Sequence, residues 1–191
     1  MKIYFTAAIS AINEFGENYR RIVSILGKEG YSVQADHVLN AEMINILTEP
    51  DQKKIEYYKK FLKWVNTADI VVAEASFPST VHIGHEISMA LAKGKPVIVL
   101  YVKGKAPIFL QGLVSDKLHV VEYSLDDLPT TLKDIIEDAK EEIDVRFNFF
   151  VSPRIVTYLD WVVKKKKMPR AVYLRRLIEQ DMDKNKEFLK E

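Results

Sequence analysis

The sequence predicts an α/β fold: an open five-stranded parallel sheet with helices on both faces, followed by a small, separate strand–helix–helix unit. Three observations lead there. Short runs rich in β-branched and aromatic residues alternate with longer stretches of helical period up to about residue 143. Strands that alternate with helices imply right-handed βαβ crossovers and hence a parallel sheet. Beyond residue 143 both pattern and charge change: residues 146–191 hold 12 Lys and Arg against 6 Asp and Glu, whereas residues 1–145 hold 16 against 21. A basic end on an acidic body suggests a second module with an anionic partner. The expected domains are therefore 1–143 and 144–191.

The elements follow in order. Lys2 to Ala7 reads as the first strand, and Asn13 to Lys28 as a helix with Tyr19, Ile22, Val23 and Leu26 on one face, closed by Gly30. Tyr31-Ser32-Val33 opens the second strand. A short helix is expected from Asn40 to Leu47, and Pro50 ends it. Asp51 is placed to cap a helix running to about Thr67. Asp69 to Glu74 is apolar enough to be a strand buried on both faces. After the loop Ser76-Phe77-Pro78-Ser79-Thr80, a helix spans about Ile83 to Lys93 and stops at Gly94. Pro96 to Tyr101 and Leu118 to Tyr123 are the fourth and fifth strands, and Asp126 to about Ile143 the closing helix. This order is that of flavodoxin/Rossmann-like sheets, whose ligands bind beyond the carboxyl ends of the strands. The loops after Phe5, Val33 and Glu74 are thus the places where a site is expected.

Composition narrows the chemistry. The 191 residues are 48% hydrophobic and 29% charged, which suits a globular core. Cysteine is absent, which excludes disulfides, thiolate metal sites and a cysteine nucleophile. His82, His85 and Glu86 match no standard metal spacing, so neither metal nor cofactor is expected. No apolar run approaches the ~20 residues of a membrane helix, and Met1 leads directly into a strand. A cytoplasmic protein without a membrane partner is expected.

Several segments recur in a known order: Ile3-Tyr4-Phe5, Tyr19-Arg20-Arg21-Ile22-Val23-Ser24, His37-Val38, Ala68-Asp69-Ile70-Val71-Val72-Ala73-Glu74, Pro78-Ser79 and Gly84-His85-Glu86. Over about residues 2–125 the chain resembles the nucleoside 2-deoxyribosyltransferase family, and within it the 2'-deoxynucleoside 5'-phosphate N-hydrolases. The resemblance implies a carboxylate nucleophile that attacks the anomeric carbon of deoxyribose and forms a glycosyl ester. Glu86 matches that nucleophile and Tyr4 the tyrosine that orients it. His37 matches a histidine of the base pocket, and Ser10 and Ser79 fall near hydroxyls that hold a 5'-phosphate. Two departures accompany the resemblance. Phe61 stands where the hydrolases carry the aspartate that protonates the leaving base, and phenylalanine cannot transfer a proton. Glu56, Asp36 or Glu74 could substitute, and Glu74 is included among the ligand-binding candidates. The phosphate loop reads Ala7-Ala8-Ile9-Ser10-Ala11, with fewer donors for an anion.

The end of the chain has its own resemblance. Arg146-Phe147-Asn148-Phe149-Phe150-Val151-Ser152-Pro153, then Tyr158-Leu159-Asp160, then Pro169 to Ile178 resemble ribbon-helix-helix repressors. Alternation sends Phe147, Phe149 and Val151 toward a dimer core. It turns Arg146, Asn148 and Phe150 outward, toward DNA base edges, while Arg170 at the second helix start faces phosphate. A homodimer or higher even oligomer is expected, because so small a unit cannot bury a core alone. Three readings follow. The first is a DNA-binding regulator with a nucleoside or nucleotide effector, which Phe61 and the altered loop favour. The second is an active N-glycosidic transferase or hydrolase with a dimerising tail. The third is a structural dimer without a ligand.

Overall fold

The computed structural model describes residues 1–41, 48, 50–143 and 149–185. The chain divides into two compact units, residues 1–145 and 146–191. In the first, five strands form one sheet: β1 (Lys2–Ala7), β2 (Ser32–Gln34), β3 (Ile70–Glu74), β4 (Val97–Val102) and β5 (Leu118–Tyr123). Their order is β2-β1-β3-β4-β5 and every pairing is parallel. The order reverses between β1 and β3, where sheets of this kind open a crevice at their carboxyl ends.

Strand alternation splits the core into two layers. Ile3, Phe5, Ala7, Val72, Ile98 and Leu100 point to one face, covered by α1 (Ile12–Lys28) and α5 (Leu128–Glu141). Tyr4, Val71, Ala73, Val97 and Val99 point to the other, covered by α3 (Asp51–Thr67) and α4 (Val81–Ala92). All five residues of β3 are buried, as its apolar run requires of a strand covered on both sides. Gly30 and Gly94 close α1 and α4 with φ of +84° and +71°, a left-handed turn that costs glycine little.

Four expectations need correction. A four-residue helix, α2 (Asp36–Leu39), follows β2 where none was expected, and the helix placed at 40–47 lies outside the described residues from 42 onward. Asp51 is not a cap: Pro50 occupies that position, and Asp51 is the first helical residue, paired with Lys54 at 3.0 Å. Asp69 precedes β3, because its carboxylate accepts from the Lys2 backbone N–H at 2.7 Å and its own N–H bonds to the Lys2 carbonyl. The ribbon strand falls partly on residues 144–148, outside the described residues, and 149–151 form neither strand nor helix.

The second unit holds α6 (Pro153–Lys166) and α7 (Arg170–Met182). Pro153 opens α6 and Lys167 closes it at φ 54°. The Tyr158 and Tyr173 hydroxyls meet at 3.0 Å, and Arg170 pairs with Asp160. No helix among the described residues is long and apolar enough to cross a membrane.

Candidate active site

On the face covered by α3 and α4, four elements converge. Tyr4 stands in β1, His37 in α2, Tyr57, Tyr58, Phe61 and Trp64 on α3, and His85 and Glu86 on α4. The spacing 57, 61, 64 puts three aromatics of α3 on one helical stripe. Tyr4 is fully buried and its hydroxyl donates to Glu86 Oε2 at 2.9 Å. The same hydroxyl lies 3.1 Å from His37 Nε2. The His37 ring packs against both Tyr4, at 5.1 Å, and Trp64, at 4.7 Å, which lie 6.0 Å from each other. Tyr57 meets Trp64 edge-on at 6.0 Å, and Phe61 lies 6.1 Å from Tyr4. The cluster is therefore one buried carboxyl set among aromatic rings.

Burial raises the proton affinity of Glu86, while the Thr6 and Tyr4 hydroxyls and the charges of His82 and His85 lower it. Burial likewise raises Tyr4 and Tyr57, reinforced in each by the nearby Glu86 anion. Burial lowers His37 to about 4, so its ring is neutral near pH 7. Tyr4 gives its single hydrogen to ionised Glu86, so His37 Nε2 must carry the hydrogen of the 3.1 Å contact. His37 Nδ1 is then a bare acceptor, buried and without a partner among the described residues.

Of the residues singled out in the sequence, the fold brings together Tyr4, His37 and Glu86. Glu74 is not with them. It shares its side of the sheet with Val72, so it points to the opposite face. There its carboxyl accepts from the Ser76 hydroxyl and, at 3.2 Å, from Tyr123, which in turn accepts from Asn18 at 2.9 Å. Only 1% exposed, Glu74 has its proton affinity raised to about 7 by burial. Ser10 is exposed in the 3-10 turn Ile9–Ala11 that follows β1, and Ser79 is half-buried just before α4. Asp36 and Glu56 are exposed. Phe61, by contrast, is 1% exposed and belongs to the core.

Sequence reasoning missed Tyr57, Tyr58, Trp64, Thr6 and His85. The aromatic spacing on α3 was the available signal, but it reads equally as an ordinary core stripe. Among the described residues, no group of three His, Asp or Glu could hold a metal. In the second unit, Arg146 and Asn148 lie outside the described residues, Phe150 is fully exposed, and Arg170 is exposed and paired with Asp160.

No family model matches the chain. It is 35% identical over 99 residues to 5-hydroxymethyl-dUMP N-hydrolase of Rattus norvegicus, covering 52% of this chain and 60% of that protein. A protein of Thermofilum pendens, which carries the provisional name 2'-deoxynucleoside 5'-phosphate N-hydrolase 1, is 28% identical over 127 residues, covering 65% of this chain and 86% of its own. The 5-hydroxymethyl-dUMP N-hydrolase of Tetraodon nigroviridis is 26% identical over 144 residues, 73% of this chain and 100% of its own. Among solved structures, the Clostridium botulinum CMP N-glycosidase BcmB aligns over 71% of this chain and 99% of its own, with 20% identity and a TM-score of 0.47.

Proposed function

We propose that the first unit is an N-glycosidic bond hydrolase acting on 2'-deoxynucleoside 5'-phosphates, with Glu86 as its nucleophile. The observation that carries this reading is the buried Glu86 carboxyl, oriented by the Tyr4 hydroxyl at 2.9 Å in a cluster of aromatic rings. A carboxylate suits the reaction because the sugar carbon becomes cationic as the base departs. Flat rings suit a nucleobase, which stacks on aromatic faces. The N-hydrolase names of the relatives, from an archaeon to a rat and a fish, support the same chemistry.

Each residue then has a task. Glu86 attacks the anomeric carbon, Tyr4 holds the carboxylate in line, and His37 presents Nδ1 as an acceptor. Ser10 and Ser79 are the hydroxyls assigned to the 5'-phosphate. Deoxynucleosides and their 5'-phosphates are incubated with the protein and base release is followed by chromatography. Release from the phosphates, abolished in Glu86→Gln, is expected. Release that persists in Glu86→Gln would remove Glu86 from the role, and a phosphate-independent rate would remove Ser10 and Ser79.

This exchanges the order of the first two readings. The regulator reading rests on the second unit alone, where the net charge of +6 over residues 146–191 favours an anionic partner. The comparisons give it no support. DNA binding through Arg146, Asn148, Phe150 and Arg170 stays a separate proposal, tested by titrating random duplex DNA at low and high salt. Salt-sensitive binding is expected of it, and no binding at low salt removes it.

A further inference from the structure

Cleavage of an N-glycosidic bond by one carboxylate leaves a second task undone. The electron pair of the C–N bond departs on a base nitrogen, and that nitrogen needs a proton. Around Glu86 the groups that carry protons are few. Tyr4 and Tyr57 are held fully protonated by burial and by the Glu86 anion, which makes them poor acids. His37 is a neutral ring whose one hydrogen is committed to Tyr4. Glu74 lies across the sheet. Phe61, at the centre of the α3 stripe, has nothing to give.

His85 remains. It precedes Glu86 on α4, is exposed to solvent, and packs its ring 6.2 Å from Phe61, whose own ring lies 6.1 Å from Tyr4. Its Nε2 lies 3.3 Å from the Tyr58 hydroxyl, and the two rings stack at 5.9 Å. Tyr58 packs on Phe61 as well, at 5.7 Å. Phe61 thus serves as a floor on which a histidine–tyrosine pair rests beside the nucleophile. Glu86 follows His85 on α4 and feels its charge and that of His82, and Tyr58 is the polar neighbour of His85 from α3. A positive charge on His85 favours the ionised form of Glu86.

We propose that His85, oriented by Tyr58, is the proton donor to the departing base. The proposal rests on the N-hydrolase reading of the same site. In the first step a Glu86 oxygen bonds to the anomeric carbon and the C–N bond breaks. Its electron pair takes the Nδ1 proton of the His85 imidazolium, while Tyr58 holds Nε2. In the second, a water oxygen attacks the anomeric carbon, the ester bond to Glu86 breaks, and the proton released by that water returns to His85. One water is consumed, the base leaves with a hydrogen, and the sugar phosphate with a hydroxyl.

The test compares two substrates of the full-length protein: a deoxynucleoside 5'-phosphate, and p-nitrophenyl 2-deoxyriboside 5-phosphate, whose leaving group departs without a proton. His85→Gln should lower kcat on the nucleotide by about 10²–10⁴-fold, the typical worth of a general acid. It should abolish the alkaline limb of the pH profile and leave the first-turnover burst of nitrophenolate near wild type, because that bond breaks before His85 is needed as a base. Tyr58→Phe should move that limb, with a smaller loss. His82→Gln should leave the ratio of the two substrates unchanged. If His85→Gln slows the first turnover of both substrates alike, or keeps its alkaline limb, His85 is not the donor although the enzyme is a hydrolase. A wild-type protein that cleaves neither substrate overturns the hydrolase reading and the donor with it.

Discussion

Tyr4 and Glu86 are 82 residues apart in sequence and share a buried 2.9 Å hydrogen bond, in which the phenol donates to a carboxylate that the Thr6 hydroxyl also stabilises. Tyr4→Phe removes that bond with little change of shape. A hydrogen bond to a charged group is worth about 1.5–3 kcal/mol, so base release should fall roughly ten- to a hundredfold. Because the Tyr4 hydroxyl lowers the proton affinity of Glu86, its loss should also move the acid limb of the pH profile upward. An acid limb that stays in place would show that Tyr4 does not tune the nucleophile.

Glu74 and His37 give opposite pH dependences of stability. Between pH 4.5 and about 7 the folded protein keeps a proton on Glu74 that the unfolded chain has lost, so stability declines as pH rises. Between about 4 and 6.5 folded His37 is neutral while the unfolded chain binds a proton, so stability declines as pH falls. Across pH 4.5–6.5 the two slopes oppose each other. Glu74→Gln keeps an acceptor for Ser76 and Tyr123 but no titration. Relative to wild type it should gain about 3 kcal/mol between pH 4.5 and 7, taking about 1.4 kcal/mol for each pH unit. Denaturant unfolding of both proteins at pH 5, 6, 7 and 8 measures this, and a constant difference would refute it.

Phe61→Asp places a carboxyl where the resembling hydrolases carry one. In this protein that side chain is 1% exposed and lies against Tyr4, Tyr58 and His85. Losing a buried phenylalanine costs about 3–5 kcal/mol before any charge is counted. For a chain of this size the melting midpoint should drop by on the order of 10 °C. Destabilisation should therefore dominate over any gain from the added acid. A thermal melt at wild-type temperature would show that the site tolerates the acid.

All thirteen residues of α7 escape burial, including Val172, Leu177, Ile178 and Met182. A short helix with no buried face is marginal in water by itself. The full-length protein should therefore sediment as a dimer or higher even oligomer at micromolar concentration. A monomer there would remove the expectation.

The α/β body was legible because its signals are long-range in period and strong in composition. The run Ile70 to Glu74 announces a doubly covered strand, and Pro50 marks the start of α3. What escaped was short or ambiguous. At four residues, α2 is too brief to show a period. Tyr57 and Trp64 look like any apolar stripe until His37 is seen stacked among them. Glu74 was drawn toward the site because it ends the right strand. Within β3 its alternation with Ala73 already separates it from one face, but which face holds Glu86 depends on how α4 returns, and no local pattern encodes that.

Tyr4 stands in β1 and Glu86 on α4, the helix that follows β3, and β1 and β3 are paired directly, residues 3–7 with 70–74. A substrate or inhibitor spanning Tyr4 and Glu86 would thus act as a brace across that pairing. Its binding should slow hydrogen exchange along the amides of both central strands, well beyond the residues it touches.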